Sequence, residues 1–160
     1  MSAAPSQALR RRWETLGAPV QDRVVGVILG APSTAVLGVA AWLEPAAEGV
    51  GTHMQLGLSG CSVLMATGWP CPMCGMTTTF SHMAHLSPLE ALRTQPFGVA
   101  LFGATLVLAS VGWADALLGG GRWRRLLDWA LAHEVPLAVL TLLGMAAGWA
   151  YKALVLREVI

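Results

Sequence analysis

The chain has 160 residues, of which 55% are apolar and only 12% are charged, and its mean hydropathy is +0.60. A soluble domain carries about 25% charged residues, so a soluble chain of this composition could not cover its surface with polar groups. The net charge is only +1, and the arginines form two small clusters rather than a broad basic face, which argues against nucleic acid as a partner. The composition favours a single domain whose partner is a lipid bilayer.

Three long stretches without an acidic or basic residue predict membrane-spanning helices, because roughly 20 mostly apolar residues are needed to cross a bilayer. The charge-free stretches are residues 24–43, 94–114 and 135–151, and they predict spans at about 24–43, 97–117 and 135–156. The third is long enough only if Lys152 snorkels to the interface. A further apolar stretch, residues 56–69, is too short to cross. The predicted fold class is therefore an all-α membrane protein: a single integral domain of residues 1–160 with three transmembrane helices and short re-entrant or interfacial helices in the first loop, residues 44–96.

The distribution of arginines predicts the orientation of these helices. Four arginines precede the first span: Arg10, Arg11, Arg12 and Arg23. Three more lie between the second and third spans: Arg122, Arg124 and Arg125. The loop of residues 44–96 contains only Arg93 before the second span. The positive-inside rule therefore predicts a cytoplasmic N-terminus and an exoplasmic loop.

The loop of residues 44–96 contains all three cysteines and two predicted short helices. Cys71-Pro72-Met73-Cys74-Gly75 predicts a tight turn, and the helical segment MTTTFSHMAH follows it. Ser87, Pro88 and Glu90 have the spacing of a helix N-cap, first helical residue and capping-box residue. In the spans, Gly26 and Gly30, and likewise Gly144 and Gly148, have the Gly-x-x-x-Gly spacing that predicts close helix packing within the chain.

A metal site is one interpretation of Cys61, Cys71 and Cys74. Cys-Pro-x-Cys-Gly resembles a zinc knuckle, in which the turn presents two sulfur ligands and glycine permits the left-handed backbone that follows. Cys61 would be the third ligand for zinc. His82 is a weak candidate for the fourth ligand, because it follows Cys74 by eight residues and about 12 Å of helix would separate it from the turn. The alternative fourth ligand is His53, a partner chain or water.

Three other interpretations of the cysteines remain open. An adjacent helix N-terminus would make Cys71 the reactive thiol of a Cys71–Cys74 redox pair. A disulfide from Cys61 to Cys71 or Cys74 would pin the apolar segment to the turn, and the odd count would leave one thiol over. Free cysteines can also act simply as small apolar side chains.

The remaining polar side chains indicate a pocket rather than a known catalytic centre. Thr77 and Thr78, with the threonine after them, would line a site near the cysteines or cap the helix through their hydroxyl groups. Nucleotide-binding loops, Ser-His-Asp sets and paired catalytic carboxylates are not visible in the sequence, so the chain is expected to be a binding or accessory component rather than an enzyme.

From Cys61 to about Phe102 the sequence resembles an uncharacterised bacterial membrane family, domain of unknown function 2752. The shared positions are a leading cysteine, a Cys-Pro-x-Cys-Gly-x-Thr block, an acidic-Ala pair and an amide-Pro pair: Cys61, Gly68, Cys71, Pro72, Cys74, Gly75, Thr77, Glu90-Ala91 and Gln95-Pro96. The family pattern has arginine where this chain has Thr78. The resemblance implies a small helical protein of the bacterial inner membrane and no particular reaction.

Three functions follow from these observations. The preferred hypothesis is a small inner-membrane protein whose Cys61, Cys71 and Cys74 form a structural or metal-binding element. The alternatives are a membrane thiol-disulfide oxidoreductase that uses Cys71 and Cys74, and a scaffold subunit that contacts other membrane subunits or a second copy of itself.

Overall fold

A computed structural model describes residues 15–159, with side chains to residue 155; Arg10, Arg11 and Arg12 of the orientation argument lie outside this range. The described residues contain seven α-helices, one 3₁₀ turn and no β-strand. The helices are α1 (Ala18–Trp42), α2 (Ser62–Thr67), α3 (Met76–Ala84), α4 (Pro88–Thr94), α5 (Pro96–Leu118), α6 (Arg122–Ala132) and α7 (Glu134–Val159), and the 3₁₀ turn is Thr52–Leu56.

The three predicted membrane spans are confirmed as three long apolar helices. Those long and apolar enough to cross a bilayer are Ala18–Trp42, Pro96–Leu118 and Glu134–Val155. At most about a fifth of each apolar window is buried within the protein, which leaves the remainder to contact lipid. The predicted fold class, an all-α membrane protein with three transmembrane helices, is therefore confirmed. The apolar stretch of residues 56–69 contains only the short helix α2, as its length indicated.

Contacts divide the chain into two compact units. The first unit consists of the residues up to Thr34 together with Val107–Ala132, and the second of Ala35–Leu106 together with the segment from His133 onward.

In the first unit, helices α1 and α5 pack through glycine. A Cβ atom added to Gly112 would lie 2.4 Å from the backbone nitrogen of Gly30, and one added to Gly26 would lie 2.6 Å from the carbonyl oxygen of Gly112. Only the absence of side chains lets the two backbones approach this closely. The Gly26–Gly30 pair is thus an intramolecular packing face, as predicted.

Two buried carboxylates fix α6 in the first unit. Asp115 is fully buried and accepts hydrogen bonds from the backbone N–H groups of Arg122 and Trp123, at 3.0 and 2.7 Å, so it satisfies the first turn of α6. Asp22 accepts from the Trp123 indole and from the Arg124 guanidinium, both at 2.9 Å. Because each buried carboxylate has several donors, its burial is compensated.

The second unit is built around the residues that follow α1 in the chain. The hydroxyl of Ser81 in α3 donates to the carbonyl of Leu43, and Phe80 packs edge-on against Phe102 with ring centroids 5.3 Å apart. Gly148 leaves room for Gln95, whose Oε1 lies 3.0 Å from the position of a Cβ on that glycine. The Gly144–Gly148 pair is also an intramolecular packing face.

The predicted helix start at Ser87 is correct, but the capping box is not formed. Helix α4 begins at Pro88 with Ser87 as N-cap, and the Ser87 side chain makes no capping hydrogen bond. Glu90 instead pairs with Arg93 at 2.8 Å. Glu90 and Arg93 therefore bind each other one helical turn apart, and no side chain caps the backbone at the start of α4.

We expect Gly112→Ala to lower the melting temperature of the detergent-solubilised protein by about 4–8 °C, because the α1 and α5 backbones must separate, at a cost of about 2 kcal/mol. Gly103→Ala, on the same helix, is the control because nothing lies within 4 Å of its added Cβ. Its melting temperature should be unchanged or slightly higher, since alanine favours helix. Equal losses in the two variants would contradict the packing.

Candidate metal centre

The two cysteines of the turn are arranged by the backbone between residues 70 and 75. The N–H of Cys74 donates to the Cys71 carbonyl at 3.0 Å, which closes the turn. Gly75 follows in the left-handed region, with φ of 88°, and caps helix α3. A side chain there would strain the backbone and meet the carbonyl of Gly49 at 3.0 Å, so the glycine is required.

The structure brings all three cysteine sulfurs together. Their Sγ atoms lie within 4.8 Å of one another, and all three are free thiols. The Cys74 thiol donates to the Cys71 sulfur at 3.4 Å and accepts from the Cys71 N–H at 3.2 Å. Cys61 arrives from the N-cap of helix α2, ten residues before Cys71 in the chain. We call these three residues the cysteine cluster.

The thiols of Cys61 and Cys74 differ strongly in acidity. A hydrogen bond from the Leu64 backbone, aided by the neighbouring thiols, lowers the pKa of Cys61 to about 7. Burial, together with the other two thiols, raises the pKa of Cys74 to about 12. The half-buried Cys61 is therefore about half thiolate near pH 7, whereas the buried Cys74 keeps its proton.

Lys152 of helix α7 is a site residue that sequence reasoning missed. Its side chain is only 2% exposed, and its ammonium donates to the Gly49 carbonyl at 2.9 Å. It is close enough to Cys74 for a Coulombic interaction with its sulfur, and a Cβ on Gly75 would lie 3.4 Å from its Nζ. The expectation that Lys152 snorkels to the interface is wrong, because the loop surrounds it. In the sequence, a lysine near the end of an apolar span looks the same whether its side chain reaches the interface or is buried beneath a loop.

Two further donors hold the turn from outside. The Trp149 indole donates to the Pro70 carbonyl at 2.7 Å, and the buried Gln95 amide donates to the Pro72 carbonyl at 3.4 Å. Both contacts give Trp149 and Gln95 a structural role in positioning the cysteines.

The two histidines considered as ligands are not members of the cysteine cluster, which among the described residues contains only cysteines. The Nε2 of His53 lies 3.2 Å from the Ser59 carbonyl. His82 lies near the end of α3, where burial lowers its pKa. As a neutral ring it would be able to bind a metal, but it lies in the last turn of the helix that the cysteine turn precedes.

Thr78, where the sequence resemblance led us to expect arginine, is buried and makes a hydroxyl contact. Its Oγ1 lies 2.8 Å from that of Thr52, which also accepts the N–H of Ala46. Thr78 thus ties α3 to the 3₁₀ turn. The cationic group beside the cysteine cluster is Lys152, from a different helix. Thr77 is half-buried and lines the cavity described next.

A cavity of about 790 Å³ opens beside the cysteine cluster. Its lining residues are Glu48, Val50, Gly51, His53, Met54, Gly60, Cys61, Leu64, Met65, Cys71, Met73, Cys74, Gly75, Met76 and Thr77. All three residues of the cluster therefore line one space, together with mostly apolar and sulfur-containing residues.

Fold and site together define a multi-pass membrane protein with a three-cysteine cluster held between a loop and the last helix. The model of an uncharacterised family, described as "Protein of unknown function (DUF2752)", matches residues 61–109, the segment that contains the cluster. This finding confirms the family resemblance over that segment. Neither the curated proteins nor the solved structures contain a match to the chain.

We expect iodoacetamide to modify Cys61 long before Cys74 in the reduced, metal-free protein. Alkylation requires the thiolate, so the rate at Cys61 should rise as the pH increases through about 7 and then level off. Cys74 should remain unmodified until the pH approaches about 12. Pulsed alkylation followed by peptide mass spectrometry measures both rates in one sample. Equal rates at Cys61 and Cys74 near neutral pH would contradict this difference.

Proposed function

We propose that this protein binds a thiophilic metal ion at Cys61, Cys71 and Cys74. The observation that carries the proposal is the meeting of three sulfur atoms, within 4.8 Å of one another, from two separate segments of the chain. Thiolates bound to one zinc ion at about 2.3 Å are separated by a little under 4 Å, so small side-chain movements would let the three sulfurs bind one ion. Soft thiolate ligands select zinc, Cu(I) or iron–sulfur clusters.

The surroundings of the cluster support a bound cation with thiolate ligands. The buried Lys152 ammonium offsets part of the negative charge that three thiolates would bring into the site. The N–H of Cys71 donates to the Cys74 sulfur, which is the kind of outer hydrogen bond that orients a metal ligand. The bound ion would displace the proton that Cys74 keeps at neutral pH.

The charge distribution of the sequence supports the proposed membrane setting. We place the N-terminus in the cytoplasm and the cysteine loop on the exoplasmic side of a bacterial inner membrane, because Arg122, Arg124 and Arg125 follow the second span and only Arg93 precedes it. In this orientation the cluster would meet metal ions outside the cytoplasm. The protein would act as a binding or accessory component in the bilayer, alone or with other membrane subunits.

Thiol–disulfide exchange is the second candidate function, and the acidity of Cys61 favours it. Helix α3 begins at Met76, so neither Cys71 nor Cys74 lies within it. With a pKa of about 7, Cys61 would be the attacking thiolate and Cys71 or Cys74 the resolving partner. In this reaction the nucleophile would be Cys61, whereas the Cys-x-x-Cys pair alone predicted Cys71.

Metal binding is tested by native mass spectrometry of the reduced protein after incubation with Zn(II), Cd(II) or Cu(I) and removal of free ion. We expect one ion per chain, and a sulfur-to-metal charge-transfer band with Cd(II). Cys71→Ser should lose the ion, whereas His82→Ala should keep it. Absence of any bound ion, with reversible disulfide formation at Cys61, would overturn the proposal and favour exchange.

Replacing the buried cation should weaken metal binding without removing it. We expect Lys152→Met to raise the Kd for Cd(II) about tenfold, because the thiolates lose a nearby positive charge. Chelator competition measures the change. Lys152 is buried, so the melting temperature of the metal-free variant is compared in parallel. An unchanged Kd in a folded variant would show that Lys152 serves only to hold the loop.

A further inference from the structure

The methionines of this chain are concentrated at the cysteine cluster. Four of the seven line the same cavity as the three cysteines: Met54, Met65, Met73 and Met76. They come from four places in the chain: the 3₁₀ turn, helix α2, the cysteine turn and the start of α3. The cavity is therefore lined by seven sulfur-containing side chains.

Three of these methionines present their side chains outward. Met54, Met65 and Met73 are 54%, 78% and 56% exposed, whereas Met76 is 8% exposed and packs its sulfur toward Gly98. The sulfurs of Met54 and Met65 lie within 4 Å of the same point, the position of a Cβ on Gly60. Gly60 directly precedes Cys61. We call Met54, Met65 and Met73 the methionine rim.

We infer that the metal of this site is Cu(I), and that the methionine rim receives the ion and passes it to the cysteine cluster; this inference rests on the proposed metal-binding function. Thioether sulfur is a neutral, soft ligand that suits Cu(I) and contributes little to Zn²⁺. Zinc takes four ligands in structural sites, and the cluster provides three. Cu(I) is satisfied by three sulfur ligands, so no further donor is needed.

The acidic residue that lines the cavity agrees with a cationic cargo, whereas the Lys152 ammonium beside the cysteine cluster would balance the charge of the thiolates. Glu48 lines the cavity and is exposed, so it favours the approach of a positive ion. A rim that served only to contact lipid or fill space would work equally well with leucine, which has nearly the same volume. The methionine sulfur itself is therefore the testable element.

The experiment uses the full-length, reduced protein in detergent under anaerobic conditions, with Cu(I) supplied as its bathocuproine disulfonate complex. We expect one Cu(I) per chain, held at least about a thousandfold more tightly than Zn(II). In the variant Met54→Leu/Met65→Leu/Met73→Leu, transfer of Cu(I) from the complex should slow by about fivefold or more, while the final stoichiometry is kept. Met83→Leu/Met145→Leu, at methionines outside the cavity lining, is the matched control and should transfer at the wild-type rate.

The outcomes separate this inference from the proposed function. Tighter binding of Zn(II) than of Cu(I) would overturn the inference and leave the metal-binding function standing. Equal transfer rates for the rim variant and its control would also overturn it. Binding of neither ion by the wild-type protein would overturn both. Because Met→Leu preserves volume, a melting temperature matching that of the control verifies that the rim variant is folded.

Discussion

The burial of the Lys152 ammonium is the constraint around which the second unit is organised. An ammonium removed from water costs several kcal/mol unless it gains close partners. Here it takes the Gly49 carbonyl and the electrostatic interaction with Cys74, so the loop must close over the end of helix α7. Gly49 and Gly75, both with positive φ, leave the space that the side chain occupies.

Helix α7, together with Gln95 between α4 and α5, satisfies the exposed backbone of the cysteine turn. Irregular backbone beside a bilayer needs partners for its carbonyl groups, because lipid offers none. Trp149 and Gln95 supply them for Pro70 and Pro72, the two prolines that flank Cys71. The turn is thereby held on both sides of a cysteine, and the positions of the sulfurs depend on helices distant in sequence.

The membrane spans and the short helices were predictable from the sequence, while the composition of the site was predictable only in part. Bilayer thickness sets the length of a span, so a span is visible in a single stretch of sequence. The Gly-x-x-x-Gly spacing is likewise visible within one helix, at Gly26 and Gly30 and at Gly144 and Gly148. The cysteine spacing predicted the Cys71–Cys74 pair with Cys61 as the third member, and the family resemblance also included Cys61. Lys152 and Trp149 were missed because they follow the turn by more than seventy residues. The predicted capping box at Ser87 is not formed, and the Glu90 carboxylate pairs with the Arg93 guanidinium instead.

The enclosure of the cysteine cluster by helix α7 also has a consequence for biosynthesis. Chains are made from the N-terminus at about 5–20 residues per second, and Trp149 is added 75 residues after Cys74, on the order of ten seconds later. During that interval the thiols have neither the ammonium nor the indole that later hold them in place. The arrangement of the cysteine loop is consequently completed only after the last span has been synthesised.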